Sequence, residues 1–77
     1  MEFQLTVRFK ADTEEGMAAF FMFIKDNYAA EIHDASADSE TFRCHASLVL
    51  ASLEATIAAV GAFKQAFIMT YKLAITS

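Results

Sequence analysis

The sequence predicts an α+β fold of the split βαβ, ferredoxin-like kind: a four-stranded antiparallel sheet with two helices on one face. Three observations predict it. Some segments alternate strictly between polar and apolar residues, others repeat their apolar residues at helical spacing, and the order of the segments is strand, helix, strand, strand, helix, strand. Crossovers of this plan pass over one face of the sheet, so the other face is left open to water, with the first and third strands at the centre.

The first strand, Glu2 to Lys10, sets Phe3, Leu5, Val7 and Phe9 on one side and Glu2, Gln4, Thr6, Arg8 and Lys10 on the other. Asp12 with Glu15 three residues on resembles a capping box, and Glu14 and Glu15 fall in a first turn where the helix dipole favours acids. At ~100° per residue, Thr13, Met17, Phe20, Phe21, Ile24 and Tyr28 share one face of a helix running from about Thr13 to Tyr28. Glu15, Met22 and Asp26 lie opposite, and Phe23 is on a flank.

Ala30 to Ala35 is a short strand with Ile32 between Glu31 and His33, and Ser36, Ala37, Asp38 and Ser39 supply turn chemistry. Thr41 to Leu48 alternates again, with Phe42, Cys44, Ala46 and Leu48 inward and Thr41, Arg43, His45 and Ser47 outward. Ser52 is an N-cap with Glu54 in the first turn. Leu53, Thr56, Ile57 and Val60 form the inward stripe of a second helix reaching about Phe63, whose outer face is nearly all alanine. The last strand alternates Phe67, Met69, Tyr71, Leu73 and Ile75 with Ile68, Thr70, Lys72, Ala74 and Thr76, and is fairly apolar on both faces. The chain has no proline, so every backbone donor is available, including those on unprotected sheet edges that could pair with another chain.

One domain, residues 1–77, is expected from the length. A chain this short buries only ~60% of the surface its unfolded form exposes. Its hydrophobic fraction of 56% exceeds the roughly 45–50% usual for soluble domains, and only 21% is charged. Burial between chains would resolve that imbalance. The net charge of −4 argues against a nucleic-acid partner, as does the lack of aromatic residues on the open face of the central strands. A lone cysteine, Cys44, and the absence of a basic, then apolar leader point to a cytoplasmic protein.

The stretch from Ala46 to Phe63 carries only the charge of Glu54, which raises the question of a membrane span. A charge near the middle of a span costs ~2.5–3.5 kcal/mol, and much of the stretch is weakly apolar Ala, Ser and Thr, so membrane insertion is disfavoured.

Glu31, His33, Cys44 and His45 contain the atoms of a zinc site, but alternation turns Cys44 and His45 to opposite sides, so no metal and no cofactor is expected. The same geometry separates a Cys–His nucleophilic pair. Gly16 and Gly61 stand singly inside helices, which rules out a phosphate-cradling glycine loop. No enzyme signature is present.

The remaining signal is apolar surface. Met22 and Phe23 on the first helix and Ala55, Ala58, Ala59 and Ala62 on the second would form one patch, with small residues four apart that admit a facing helix. The expected function is that of a non-enzymatic, acidic protein-interaction module that forms a homo-oligomer and regulates or inhibits another protein by occluding a surface, as a viral or mobile-element factor does. The alternative is a small-ligand, anion or metal-binding module on the open sheet face. There a hairpin centred near Asp38 would set His33 opposite Arg43 and Glu31 opposite His45, with Arg8 and Lys72 adding charge.

Overall fold

A computed structural model describes residues 1–76, with side chains through Ile75. Its elements are β1 (Glu2–Lys10), α1 (Glu14–Tyr28), a 3₁₀ turn (Ala29–Glu31), β2 (Ile32–Asp38), β3 (Arg43–Leu50), α2 (Leu53–Ala66) and β4 (Met69–Thr76). The strands form one sheet in the order β2-β3-β1-β4, antiparallel at every pairing, with both helices on one face. This is the βαββαβ, ferredoxin-like plan.

The β1 alternation survives intact. Leu5 and Val7 are fully buried and Phe3 nearly so, while Arg8 and Lys10 remain exposed on the open face. β1 pairs with β3 on one side, Val7 opposite Ala46 and Leu5 opposite Leu48, and with β4 on the other, Val7 opposite Tyr71 and Leu5 opposite Leu73. The Thr6 and Ser47 hydroxyls, 3.3 Å apart, join the two central strands on the open face.

α1 begins one residue later than the capping box implies. Thr13, not Asp12, is the cap, its hydroxyl accepting the Gly16 N–H at 3.1 Å. The rest of the predicted face goes inward, Phe20 and Ile24 buried with Met17, Phe21 and Tyr28 packed beside them, whereas Thr13, expected on that face, is exposed at the cap.

The β2–β3 hairpin departs further from the sequence reading. β2 extends to Asp38, and the turn spans 39–42 instead of 36–39. The Asp38 carboxylate accepts the Glu40 N–H at 2.9 Å and the Asp38 carbonyl accepts the Phe42 N–H at 2.8 Å, so Asp38 closes the turn rather than sitting at its tip. That backbone donation, ahead of contacts with Thr41 and the charge of Arg43, holds the Asp38 carboxyl below its ordinary range. Phe42 leaves the strand altogether. Its φ of 59° is left-handed, a conformation that crowds a side chain, and its carbonyl accepts the Ala11 N–H at 2.8 Å. The register is therefore Asp38 opposite Arg43 and Ser36 opposite His45, and His33 is the extra residue of a β-bulge between Ile32 and Asp34.

α2 is capped by Ser52, whose hydroxyl accepts the Ala55 N–H at 3.0 Å, but it is rotated from the predicted phase. Thr56, Ala59 and Phe63 are the buried positions, whereas Leu53 and Ile57, expected inside, are exposed. The rotation, roughly 70–80° at helical spacing, brings the largest apolar side chain of the helix onto the core. Phe63 meets Tyr28 in a stack at 5.6 Å, Phe23 edge-on at 5.2 Å and Phe20 at 6.0 Å. Ala59 and Thr56 then lie against the sheet, and the Thr56 hydroxyl is satisfied by the Ser52 carbonyl at 2.8 Å. The ring cluster continues through Phe9, which stacks on Phe20 at 5.2 Å and meets Phe67 edge-on at 5.0 Å.

The 18-residue stretch from Ala46 to Phe63 is divided between β3 and α2, and no helix among the described residues is long and apolar enough to cross a membrane.

Candidate interaction surfaces

The patch expected across the two helices does not form as one surface. Ala59 is fully buried and presents no side chain to a partner, because the same turn of α2 that seats Phe63 presses Ala59 against the sheet. Phe23 is half-buried, its ring held at 5.2 Å from Phe63, 5.4 Å from Phe67 and 6.2 Å from Tyr28, so most of its apolar area is spent inside the molecule. Ala62 is likewise half-buried. Met22, Ala55 and Ala58 are exposed as expected, but Met22 lies on α1 among Glu15, Lys25 and Asp26, separate from the two alanines on α2.

A different apolar surface takes its place. On β4 the side chains facing the helices are Met69, Tyr71, Leu73 and Ile75, in register with Phe9, Val7, Leu5 and Phe3 of β1. Helical cover stops one strand short of the sheet edge. Leu5 and Val7 are fully covered, but Tyr71, Leu73 and Ile75 are 47%, 41% and 65% exposed, and the α2 flank above them adds Leu53 at 51% and Ile57 at 62%. The Lys64 ammonium, on the same stripe of α2, lies 5.8 Å from the centre of the Tyr71 ring, which ties that flank to the β4 edge.

At on the order of 100 Å² apiece, these five side chains make a patch of about 500 Å², the upper range for the largest patch of a monomer. Leu53 and Ile57 belong to this surface because α2 is rotated from the phase that would turn them inward. The in-phase triplet Thr56, Ala59 and Phe63 was the available signal.

The two sheet edges differ in protection. β2 carries the bulge at His33 and the charges of Asp34 and Asp38, and its helix-side residues Ala35 and Ala37 are small. β4 is eight residues long, pairs with β1 without a shift in register, contains neither proline nor glycine, and bears one charge, Lys72. Alternate residues of such an edge turn their N–H and C=O groups outward.

On the open face the structure brings Arg8, Arg43 and His45 together and leaves His33 out. The β1–β3 register sets Arg8 opposite His45 and Lys10 opposite Arg43, and the β1–β4 register adds Thr70 beside Arg8. These residues ring an open basin of about 530 Å³. Lys10, absent from the expected set, belongs to it, and Lys72, included there, does not.

His33 sits on the bulge and is exposed, and no residue of β3 is paired with it. The expected pairings of His33 with Arg43 and Glu31 with His45 are thus replaced, because the hairpin turns later. His45 Nδ1 instead lies 3.9 Å from Asp34 Oδ2.

Cys44 is buried on the helix side, where desolvation pushes its thiol up and away from thiolate chemistry, while His45 is on the open face. The described residues hold no group of three His, Cys, Asp or Glu side chains placed to share a metal ion.

No protein-family model, no curated protein and no solved structure matches the chain.

Proposed function

We propose that the protein is a non-enzymatic interaction module that self-associates through the β4 edge and the adjoining flank of α2. The observation that carries this reading is the coincidence of two needs at one place: an uninterrupted, nearly uncharged edge strand and five half-exposed apolar side chains beside it. An antiparallel strand pair about a two-fold axis is self-complementary, so a second copy satisfies both at once. The apolar patch together with the outward backbone of β4 approaches the roughly 800 Å² per partner of a standard interface.

Charge selects the register. Pairing centred on Lys72 would set two ammonium groups directly opposite each other, which is unfavourable. Pairing centred on Leu73 sets Lys72 opposite Ala74 of the second copy and Tyr71 opposite Ile75, and it keeps the apolar residues on the helix side. Regulation by occlusion follows from the same edge. Once paired with itself it is closed to other strands, and paired with another protein's strand it covers that strand.

Sedimentation velocity over a concentration series tests the reading. Ile57→Lys and Ile75→Lys should each weaken self-association by about tenfold or more, because each leaves an ammonium group in a dehydrated contact. Both sites are well exposed in the single chain, so unfolding free energies at low concentration should stay within ~0.5 kcal/mol of the parent. Met22→Lys and Ala58→Lys should sediment as the parent does. A parent chain that is monomeric at every concentration, or one dissociated by Met22→Lys instead, contradicts the reading.

A further inference from the structure

We propose that the basin on the open face is a binding site for a small phosphomonoester, whose dianionic phosphate is held among Arg8, Lys10 and Arg43 while its organic part lies against Ile68. This goes beyond self-association and rests on the opposite face of the sheet.

Electrostatics favours an anion at this basin. The chain is acidic, with a net charge of −4 and only six Lys and Arg residues, yet Arg8, Lys10 and Arg43 converge on one basin. Lys10 is directly opposite Arg43 across the β1–β3 pair, and Arg8 stands next to Lys10 along the same face, opposite His45. Arg43 faces Asp38 on its other side and lowers that carboxyl through its charge, whereas Arg8 and Lys10 have no ion-pair partner among the described residues. Asp34 lies toward His45, 3.9 Å away, and the Asp38 carboxylate also accepts the Glu40 N–H in the turn. Cations gathered in one basin, two of them without a partner, repel one another, and an anion bound among them relieves that cost.

The shape and lining of the basin favour the same ligand. Phe9, Cys44 and Met69 form the floor with their backbone, since their side chains turn to the helices, so nothing fills the basin from beneath. Its volume of about 530 Å³ falls in the range of small-molecule sites and exceeds what a bare phosphate occupies. Two guanidinium groups and an ammonium suit a dianion with several acceptor oxygens, and the Thr70 hydroxyl beside Arg8 supplies a neutral donor. Ile68, 97% exposed at the rim, offers an apolar side chain open to a ligand.

The test is an NMR titration of the full chain at neutral pH with phenyl phosphate, run beside inorganic phosphate and phenylacetate at matched ionic strength. Phenyl phosphate should give saturable shifts at the amides of Arg8, Arg43, His45 and Thr70. It should bind about threefold or more tightly than inorganic phosphate through its contact with Ile68, and about tenfold or more tightly than the monoanion phenylacetate. Arg8→Gln and Arg43→Gln should each weaken it by about tenfold. Lys72→Gln, a charge loss on the same face outside the basin, should change it by less than about twofold. Absence of saturable shifts at millimolar ligand, equal affinity for phenylacetate, or equal weakening by Lys72→Gln and Arg43→Gln overturns the proposal. The sedimentation behaviour of the parent is untouched by any of these outcomes.

Discussion

Phe63→Ala is expected to lower the unfolding free energy by about 3–5 kcal/mol, the range for truncating a fully buried phenylalanine. Phe63 is the common partner of Phe20, Phe23 and Tyr28, and its removal leaves three ring faces without contact at the junction of the helices. A domain of this length has a total stability of only about 4–12 kcal/mol, so the variant should sit close to its unfolding midpoint. Ile57→Ala, by contrast, should stay within ~0.5 kcal/mol of the parent, since Ile57 is largely solvent-exposed in the single chain and alanine is the better helix former. Urea unfolding at concentrations too low for association measures both, so that binding does not add to the apparent stability. Comparable losses at the two positions would mean that α2 lies in the phase expected from its leucine and isoleucine, not the one described.

Ala59→Glu and Ala58→Glu should differ even more sharply. Neighbours in sequence, they are separated by 100° around the helix. Ala59 is fully buried against the sheet and Ala58 is exposed. A carboxylate at position 59 would be dehydrated with no donor to receive it, at a cost of several kcal/mol, and its added volume would push α2 off the strands. Near-ultraviolet circular dichroism of Ala59→Glu should show loss of fixed aromatic packing, and Ala58→Glu should retain the parent spectrum. If Ala59→Glu kept that spectrum and only dissociated an oligomer, alanine 59 would be an interface residue after all.

The elements that depend on local pattern were legible in the sequence. Strict alternation located β1 and most of β3, and the spacing of Met17, Phe20, Ile24 and Tyr28 set the inward face of α1. The features that depend on long-range competition were not. α2 offers two apolar stripes of similar strength, Leu53–Ile57–Val60 and Thr56–Ala59–Phe63, and the choice is made by rings on α1 that need Phe63.

The hairpin offset turns on Phe42 adopting a left-handed conformation and on a bulge at His33, and neither residue type signals that. For the same reason the charged site was half visible. Outward positions of Arg8, Arg43 and His45 follow from alternation, but the inclusion of Lys10 follows from the register of β1 against the distant β3, and the loss of His33 from the bulge within the hairpin. The apolar character of both β4 faces was plain, and so was the lack of an edge-protecting proline. Which helix residues stand beside that edge was not.

The most direct test of a self-pairing β4 edge is a set of intermolecular nuclear Overhauser contacts, recorded on a mixture of isotope-labelled and unlabelled chains at a concentration where association is complete. Contacts are expected from Tyr71 to the partner's Ile75 and from Leu73 to the partner's Leu73, with Ile57 within reach of the second copy. Intermolecular contacts confined to Met22, Ala55 and Ala58, or none at millimolar protein, would contradict that pairing.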